Sequence, residues 1–353
     1  MIEKKLPIFE LEEILRESNL ELRSLKKTRI FIAGGTGFIG KWLTQALILA
    51  DEKLFLDLEI VILTRNPEAA IKQCPWLNNK IIRLLQGDIE TFKFPEGKFD
   101  IVIHGAVSAS AKLNFEEPEI MLRTCTEGAF HILNFATQCQ AENFLLLSSG
   151  AVYGKQTELE KYVGESCLIG PDILSPSSAY HEGKRISELL GSIWAKKTGH
   201  KFKIARCFSF VGPYLPCDTH FAVGNFISDC INKRPILIKG DGTNKRSIMY
   251  GTDLIICLLK ILINGESCRA YNVGSNKDLT IKELAFLVDR VAERFFSRNE
   301  FGENRVIIRG EPKQGAPIER YVPSIDRICN ELGVKMLVDL EEALERTFRW
   351  YQV

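Results

Sequence analysis

The sequence predicts an α/β fold, a parallel sheet covered by helices on both faces and followed by a smaller mixed α/β lobe toward the C-terminus. Three observations carry that expectation. A short apolar strand, Arg29-Ile30-Phe31-Ile32-Ala33, runs into a glycine-rich turn and then into an apolar-periodic helix through Trp42, Leu43, Ala46, Leu47 and Leu49. Strand-like and helix-like stretches alternate from there to Ile204-Ala205-Arg206-Cys207-Phe208, as parallel strands joined by crossover helices require. The rhythm then breaks at Val211-Gly212-Pro213-Tyr214-Leu215-Pro216.

Taken in order, residues 1–28 place Ile8, Leu11 and Leu15 at helical spacing among many charges, which predicts a short amphipathic helix docked on the main body. The turn after the first strand is Gly34-Gly35-Thr36-Gly37-Phe38-Ile39-Gly40, with Gly34, Gly37 and Gly40 three residues apart. Between a strand and a helix this spacing predicts a Rossmann-type dinucleotide site, because glycines let the backbone turn tightly and approach a pyrophosphate held on the helix N-terminus. The second strand, Glu59 to Leu63, ends in Thr64-Arg65-Asn66 and lacks the acid that binds both ribose hydroxyls of NAD. Arg65 suits a 2′-phosphate, which puts NADP(H) ahead of NAD; the alternative is an arginine stacked on adenine in an NAD site.

The third strand, Ile81 to Leu85, leads to Gly87-Asp88-Ile89, where Asp88 is placed to bond an adenine amino group and Ile89 to cover the ring. The fourth, Phe99 to Ile103, gives His104-Gly105-Ala106-Val107-Ser108, a wall of small residues for the nicotinamide ribose, with His104 read as a packed strand-end residue. A long helix follows over 116–140, then the strand Phe144 to Leu147 with Ser148-Ser149-Gly150-Ala151-Val152-Tyr153-Gly154 at its carboxyl edge. A Gly/Pro/Ser-rich loop over 164–178 precedes a helix from Tyr180 through Trp194. Beyond Phe208 the pattern predicts helices over 221–231, 281–296 and 340–351 and a short hairpin over 236–247. The chain divides into a helical extension (1–28), a dinucleotide-binding domain carrying the chemistry (29–210) and, mainly, a substrate lobe (211–353).

Tyr180 and Lys184 are four apart on one helix and leave it on one face. With Ser149 they form a device for moving a proton on a carbonyl/alcohol pair. To act as a base at neutral pH a tyrosine must have its pKa lowered by ~3 from about 10, roughly 4 kcal/mol of differential stabilisation, for which Lys184 is the nearest source. Ser149 would hydrogen-bond and orient the substrate oxygen.

The formal net charge of +1 gives no general electrostatic case for nucleic acid or an anionic membrane. Ten cysteines are scattered with no Cys-x-x-Cys pair and no clustering with histidine, which argues against structural zinc and for reduced packing residues, with no metal expected. No apolar run approaches the length of a membrane span, and Glu3, Glu10, Glu12 and Glu13 occupy the start where a signal peptide would be basic and then apolar. A cytoplasmic protein is expected.

In combination these motifs resemble an extended short-chain dehydrogenase/reductase, of the NAD-dependent epimerase/dehydratase kind that acts on nucleotide sugars. The resemblance spans about 29–351 and rests on the glycine turn, Gly87-Asp88-Ile89, the Ser148 to Gly154 run, Tyr180 with Lys184, Val211-Gly212-Pro213, Arg246 ahead of a helix-capping Asp253, and Tyr271-Asn272-Val273-Gly274. It implies Tyr180 as acid/base, Lys184 binding the nicotinamide ribose and lowering the tyrosine pKa, and Ser149 on the sugar oxygen. It further implies Asn225, Arg246 and Arg320 along the nucleotide diphosphate, Lys239 near the base, and Ser108, Gly150 and Ser209 beside the substrate. A homodimer through helices 116–140 and 180–198 is also implied. Sugar 4,6-dehydratases carry Asp-Glu where this chain has Gly150 and Ala151, and Cys125 and Ser209 stand where the family has asparagines. A 4-ketoreductase with exchangeable NADPH is therefore expected first, and a 4-epimerase or dehydratase with tightly held NAD next. The different-class alternative, a catalytically silent dinucleotide sensor, commonly lacks the tyrosine or the lysine.

Overall fold

The computed structural model describes residues 3–106, 111–156, 161–216, 221–296, 305–311 and 317–352. The chain opens with two helices, α1 (Ile8–Glu17) and α2 (Asn19–Arg23), and enters the sheet through β1 (Arg29–Ala33). Then come α3 (Phe38–Leu54), β2 (Glu59–Thr64), α4 (Pro67–Gln73), β3 (Ile82–Gln86), β4 (Ile101–His104), α5 (Ala111–Glu116), α6 (Pro118–Gln138), β5 (Asn143–Ser149), α7 (Ala179–Thr198) and β6 (Lys201–Cys207). The remainder is β7 (Phe210–Val211), α8 (Ala222–Ile231), β8 (Ile236–Ile238), β9 (Lys245–Ser247), β10 (Met249–Tyr250), α9 (Gly251–Asn264), β11 (Ala270–Val273), β12 (Asp278–Thr280), α10 (Ile281–Ala292), β13 (Val306–Ile308), β14 (Arg320–Tyr321), α11 (Asp326–Leu332) and α12 (Leu340–Gln352).

Seven strands form one parallel sheet in the order β3-β2-β1-β4-β5-β6-β11. Successive side chains of a strand point to opposite faces, and the core divides accordingly. Ile30, Ile32, Ile60, Ile62, Ile101 and Ile103 pack with Trp42 and Leu43 of α3 and the apolar side of α9. Phe31, Val61, Val102, Phe144 and Leu146 pack with Ile132 and Phe135 of α6 and Trp194 of α7. The doubly covered sheet is the Rossmann-type fold the sequence predicts. Its order reverses between β1 and β4, and ligands of such sheets bind beyond the strand ends at that reversal.

Three details differ from expectation. Residues 236–247 do not form a hairpin: β8 pairs in parallel with β13, while β9 lies between antiparallel β12 and parallel β14. The Gly-Asp-Gly-Thr turn is present, with Asp241 Oδ1 accepting from the Thr243 amide at 3.0 Å, but partners from later in the chain take up the strand edges. Asp253 does not cap its own helix; it sits inside α9 and accepts from the Leu337 and Val338 amides at 2.9 and 3.2 Å. Residues 251–273 also return to the main sheet, with β11 as its edge strand next to β6.

The N-terminal segment is tied down by charge as well as by Leu11, Ile14 and Leu22. Glu10, 1% exposed, accepts from Tyr250 Oη and Thr252 Oγ1, both at 2.6 Å, and pairs with Arg346 at 3.0 Å. Burial raises the Glu10 pKa against those partners. No helix among the described residues is long and apolar enough to cross a membrane.

Candidate active site

A cavity of about 830 Å³ opens where the sheet order reverses. At one end Gly34, Gly37, Phe38, Ile39, Gly40 and Gly105 line it. Gly34 has φ +97°, and a Cβ there would come within 2.6 Å of the Gly105 carbonyl carbon. A Cβ on Gly40 would stand 2.2 Å from the Gly34 carbonyl oxygen, whereas one on Gly37 would meet that oxygen at 3.4 Å. The first and third glycines are thus required by backbone packing. The second caps α3 and leaves its N-terminal amides open to a ligand. A donor set of backbone N–H groups at a turn where Gly34, Gly37 and Gly40 carry no side chain fits the pyrophosphate of a dinucleotide.

Ser149, Tyr180 and Lys184 line the middle of the cavity. Strand β5 ends at Ser149, whose Oγ accepts from the Ala151 amide at 3.1 Å. Helix α7 has no side-chain cap of its own; Asn114 of α5 supplies one, with Oδ1 accepting from the Tyr180 amide at 2.9 Å and Nδ2 donating to the Ser177 carbonyl at 2.8 Å. Lys184, 3% exposed, donates from Nζ to the Leu147 carbonyl at 2.8 Å and lies 5.9 Å from the centre of the Tyr180 ring. Burial lowers the Lys184 pKa. It raises that of the Tyr180 phenol, against which the hydrogen bond from Ser149 pulls down. The expected depression of the tyrosine is therefore absent from the free protein, where desolvation is the largest influence.

At the far end the lining comes from Ser209, just after β6, and from the C-terminal segment: Arg246, Glu319, Arg320 and Tyr321. Arg320 pairs with Asp278 at 3.2 Å, and Arg246 lies 3.9 Å from Glu319. Burial lowers the Arg246 pKa. Tyr321 stands with its hydroxyl 3.5 Å from Ser149 Oγ.

Other residues singled out from the sequence lie away from the cavity lining. Asp88 closes its own turn by accepting from the Glu90 amide at 3.0 Å, and Ile89 is buried against Gly128 of α6. Thr36 and Thr64 are half-buried, and Arg65 and Lys239 are exposed. Ala106 packs toward the α6 side of the core, Gly150 is buried under Phe208, and Asn225 is half-buried in α8. Val107 and Ser108 lie outside the described residues. His104 is 1% exposed in β4, and burial beside Lys184 pushes its pKa down to about 3, so it is a neutral packed residue. Cys125 is buried against Gly183 of α7.

Asn114 and Tyr321 were not indicated by the sequence pattern. Asn114 acts on a backbone amide 66 positions away, and Tyr321 meets a serine 172 positions away. The one available signal for Tyr321 is its place beside Arg320.

A doubly wound sheet, a glycine turn aimed at a cleft, and a serine–tyrosine–lysine corner define an oxidoreductase of the short-chain dehydrogenase/reductase type. The model of the NAD-dependent epimerase/dehydratase family matches residues 30–274, and the chain belongs to that family. It is 30% identical over 327 residues to UDP-glucuronic acid decarboxylase 3 of Arabidopsis thaliana, a match covering 91% of this chain and 89% of that one. An epimerase of Methanothermobacter thermautotrophicus superposes with a TM-score of 0.78 at 24% identity, covering 96% of each chain. The UDP-N-acetylglucosamine 4-epimerase of Methanobrevibacter ruminantium gives a TM-score of 0.78 at 22% identity, covering 93% of this chain and 99% of that one. The protein is an NAD-dependent enzyme of this type.

Proposed function

We propose that the protein moves a hydride at C4 of a nucleoside-diphosphate sugar, with Tyr180 exchanging a proton with the C4 oxygen, Ser149 holding that oxygen, and Lys184 supplying positive charge beneath the phenol. The convergence of these three side chains between a glycine-lined end and an arginine-bearing end of one cavity is the observation that supports it. When bound, the nicotinamide supplies or accepts the hydride; the chain's own residues manage the proton and orient the sugar. Arg246 and Arg320 face the same cavity, and guanidinium forks suit a diphosphate.

Reduction of a 4-ketone is the direction we favour. Elimination of water has little support, because Gly150 and Ala151 follow Ser149 and the one carboxylate among the described lining residues is Glu319, at the lobe end. Arg65, exposed at the end of β2, suits the 2′-phosphate of NADPH; Arg65→Ala should raise the Kd for NADPH about tenfold and leave that for NADH unchanged.

Similarity to the UDP-glucuronic acid decarboxylases supports a second reading. Oxidation of a uronic acid at C4, its hydride passing to NAD, would place a ketone β to the C6 carboxylate; the ketone would receive the electron pair released with CO2, a proton would add at C5, and return of the hydride to C4 would give the pentose. The two readings separate in one experiment. Purified protein with NADPH and a dTDP-4-keto-6-deoxyhexose should consume NADPH. With NAD and UDP-glucuronic acid it should release no CO2; release with formation of a UDP-pentose would establish the second reading. Failure of both reactions would overturn the reductase and the decarboxylase readings together.

Phe130 of α6 and Leu189 and Ile193 of α7 are exposed on the outer face of that helix pair, which supports a homodimer formed there. Leu189→Lys should leave a monomer by sedimentation equilibrium.

A further inference from the structure

Tyr321, on the two-residue strand β14, lines the same cavity as Ser149 and Tyr180. Its hydroxyl is 3.5 Å from Ser149 Oγ, long for O–H···O. Such bonds are often long in a free site and tighten when substrate enters. The phenol is propped from behind. Its ring packs on that of Phe208, with centroids 4.7 Å apart. Phe208 occupies the space over Gly150, where an added Cβ would approach its ring to 2.6 Å. The absence of a side chain at residue 150 thus makes room for the aromatic pair that aims Tyr321. Burial pushes the Tyr321 phenol up to about 12, which keeps it a neutral hydrogen-bond donor at ordinary pH.

A serine hydroxyl has one proton and two acceptor positions. One position on Ser149 is filled by the Ala151 amide at 3.1 Å. With Tyr321 donating to the second, both are used, and the single proton of Ser149 points at Tyr180 or at the substrate oxygen between them. In the reverse sense Ser149 would spend its proton on Tyr321 and have none to give Tyr180.

We propose that Tyr321 is a positioning residue that fixes the direction of the Ser149 hydroxyl and acts through it on Tyr180. The proposal rests on the reading of Tyr180 as the acid/base. The resulting chain, Tyr321 to Ser149 to Tyr180, stabilises the ionised form of Tyr180. Loss of the Tyr321 hydroxyl frees Ser149 to rotate and raises the pH at which Tyr180 ionises.

The test follows that ionisation by 13C NMR of ζ-labelled tyrosine in the NAD-saturated protein, with the Tyr180 resonance identified by its loss in Tyr180→Phe. In Tyr321→Phe, which keeps the ring on Phe208, the Tyr180 midpoint should rise by about one pH unit, a tenfold fall in its ionisation constant. Ser149→Ala should raise it at least as far, and the double variant no further than Ser149→Ala alone, because Tyr321 acts only through Ser149. An unchanged midpoint in Tyr321→Phe, or shifts that add in the double variant, would overturn the proposal. A parent protein in which Tyr180 titrates no lower than a free tyrosine, about pH 10, would instead overturn the acid/base reading beneath it.

Discussion

At the glycine end of the cavity the wall is largely backbone, made by residues close together in the chain: Gly34 to Gly40, with Phe38 and Ile39 among them, turn within one strand–helix unit and rest on Gly105 at the end of the neighbouring strand. At the lobe end the wall is side chain, brought in from afar. Arg246 comes from β9, Arg320 and Tyr321 from β14, and their strands of two or three residues are held partly by ion pairs with Asp278 and Glu319. The first end can bind whatever presents a phosphate to helix amides, whereas the second is defined by which side chains happen to meet.

The sharpest way to break this contrast is at the glycines. Gly40→Ala sets a Cβ 2.2 Å from a carbonyl oxygen that cannot move without dismantling the turn, and should abolish NAD binding by isothermal titration calorimetry. Gly37→Ala, with its contact at 3.4 Å, should bind with a Kd within about tenfold of the parent, a cost under roughly 1.4 kcal/mol. Equal losses in the two variants would mean that the turn is not held by backbone contact.

A second test concerns how the C-terminal segment is anchored to the main sheet. Asp253 in α9 accepts two amides from 337–338, and burial raises its pKa from 3.8 to about 6. A carboxyl raised in the folded state binds its proton more tightly there than in the unfolded chain, so its contribution to stability is greatest below about pH 4 and is lost as pH rises to about 6. A rise of that size corresponds to about 3 kcal/mol. In urea unfolding, Asp253→Asn should lack that part of the decline between pH 4 and 6; a variant whose pH dependence matches the parent's would mean that the Asp253 carboxyl is not desolvated where it meets 337–338.

A smaller effect is expected at Asn114, which holds the first turn of α7 without lining the dinucleotide turn. Asn114→Ala should lower kcat about tenfold, with NAD affinity unchanged, as loss of one positioning hydrogen bond implies. A fall in NAD affinity as large as that in kcat would place Asn114 at the wrong end of the cavity.

The same contrast explains what could be read in the sequence. Each strand–helix unit of the doubly wound sheet, the glycine turn and the Tyr180–Lys184 pair are periodic or local features, and a window of a few tens of residues contains each of them. The lobe gave up less. Residues 236–247 look like a hairpin because a turn sits between two apolar or polar runs, yet β8 and β9 pair with strands formed as many as 75 residues later. Asp253 reads as a cap because it stands near a helix start, yet its partners lie 84 and 85 positions away. Tyr321 carries no local mark beyond its place beside Arg320, since its meaning comes from Ser149 and from the space Gly150 leaves to Phe208.

The central claim is that Tyr180 exchanges the proton at the reacting sugar carbon. The most direct measurement is the single-turnover rate of Tyr180→Phe with saturating NADPH and the 4-keto nucleotide sugar, alongside its Kd for NADPH. A rate lowered by about 10²–10⁴ with an unchanged Kd is predicted for removal of a general acid. A rate equal to the parent's would contradict the account.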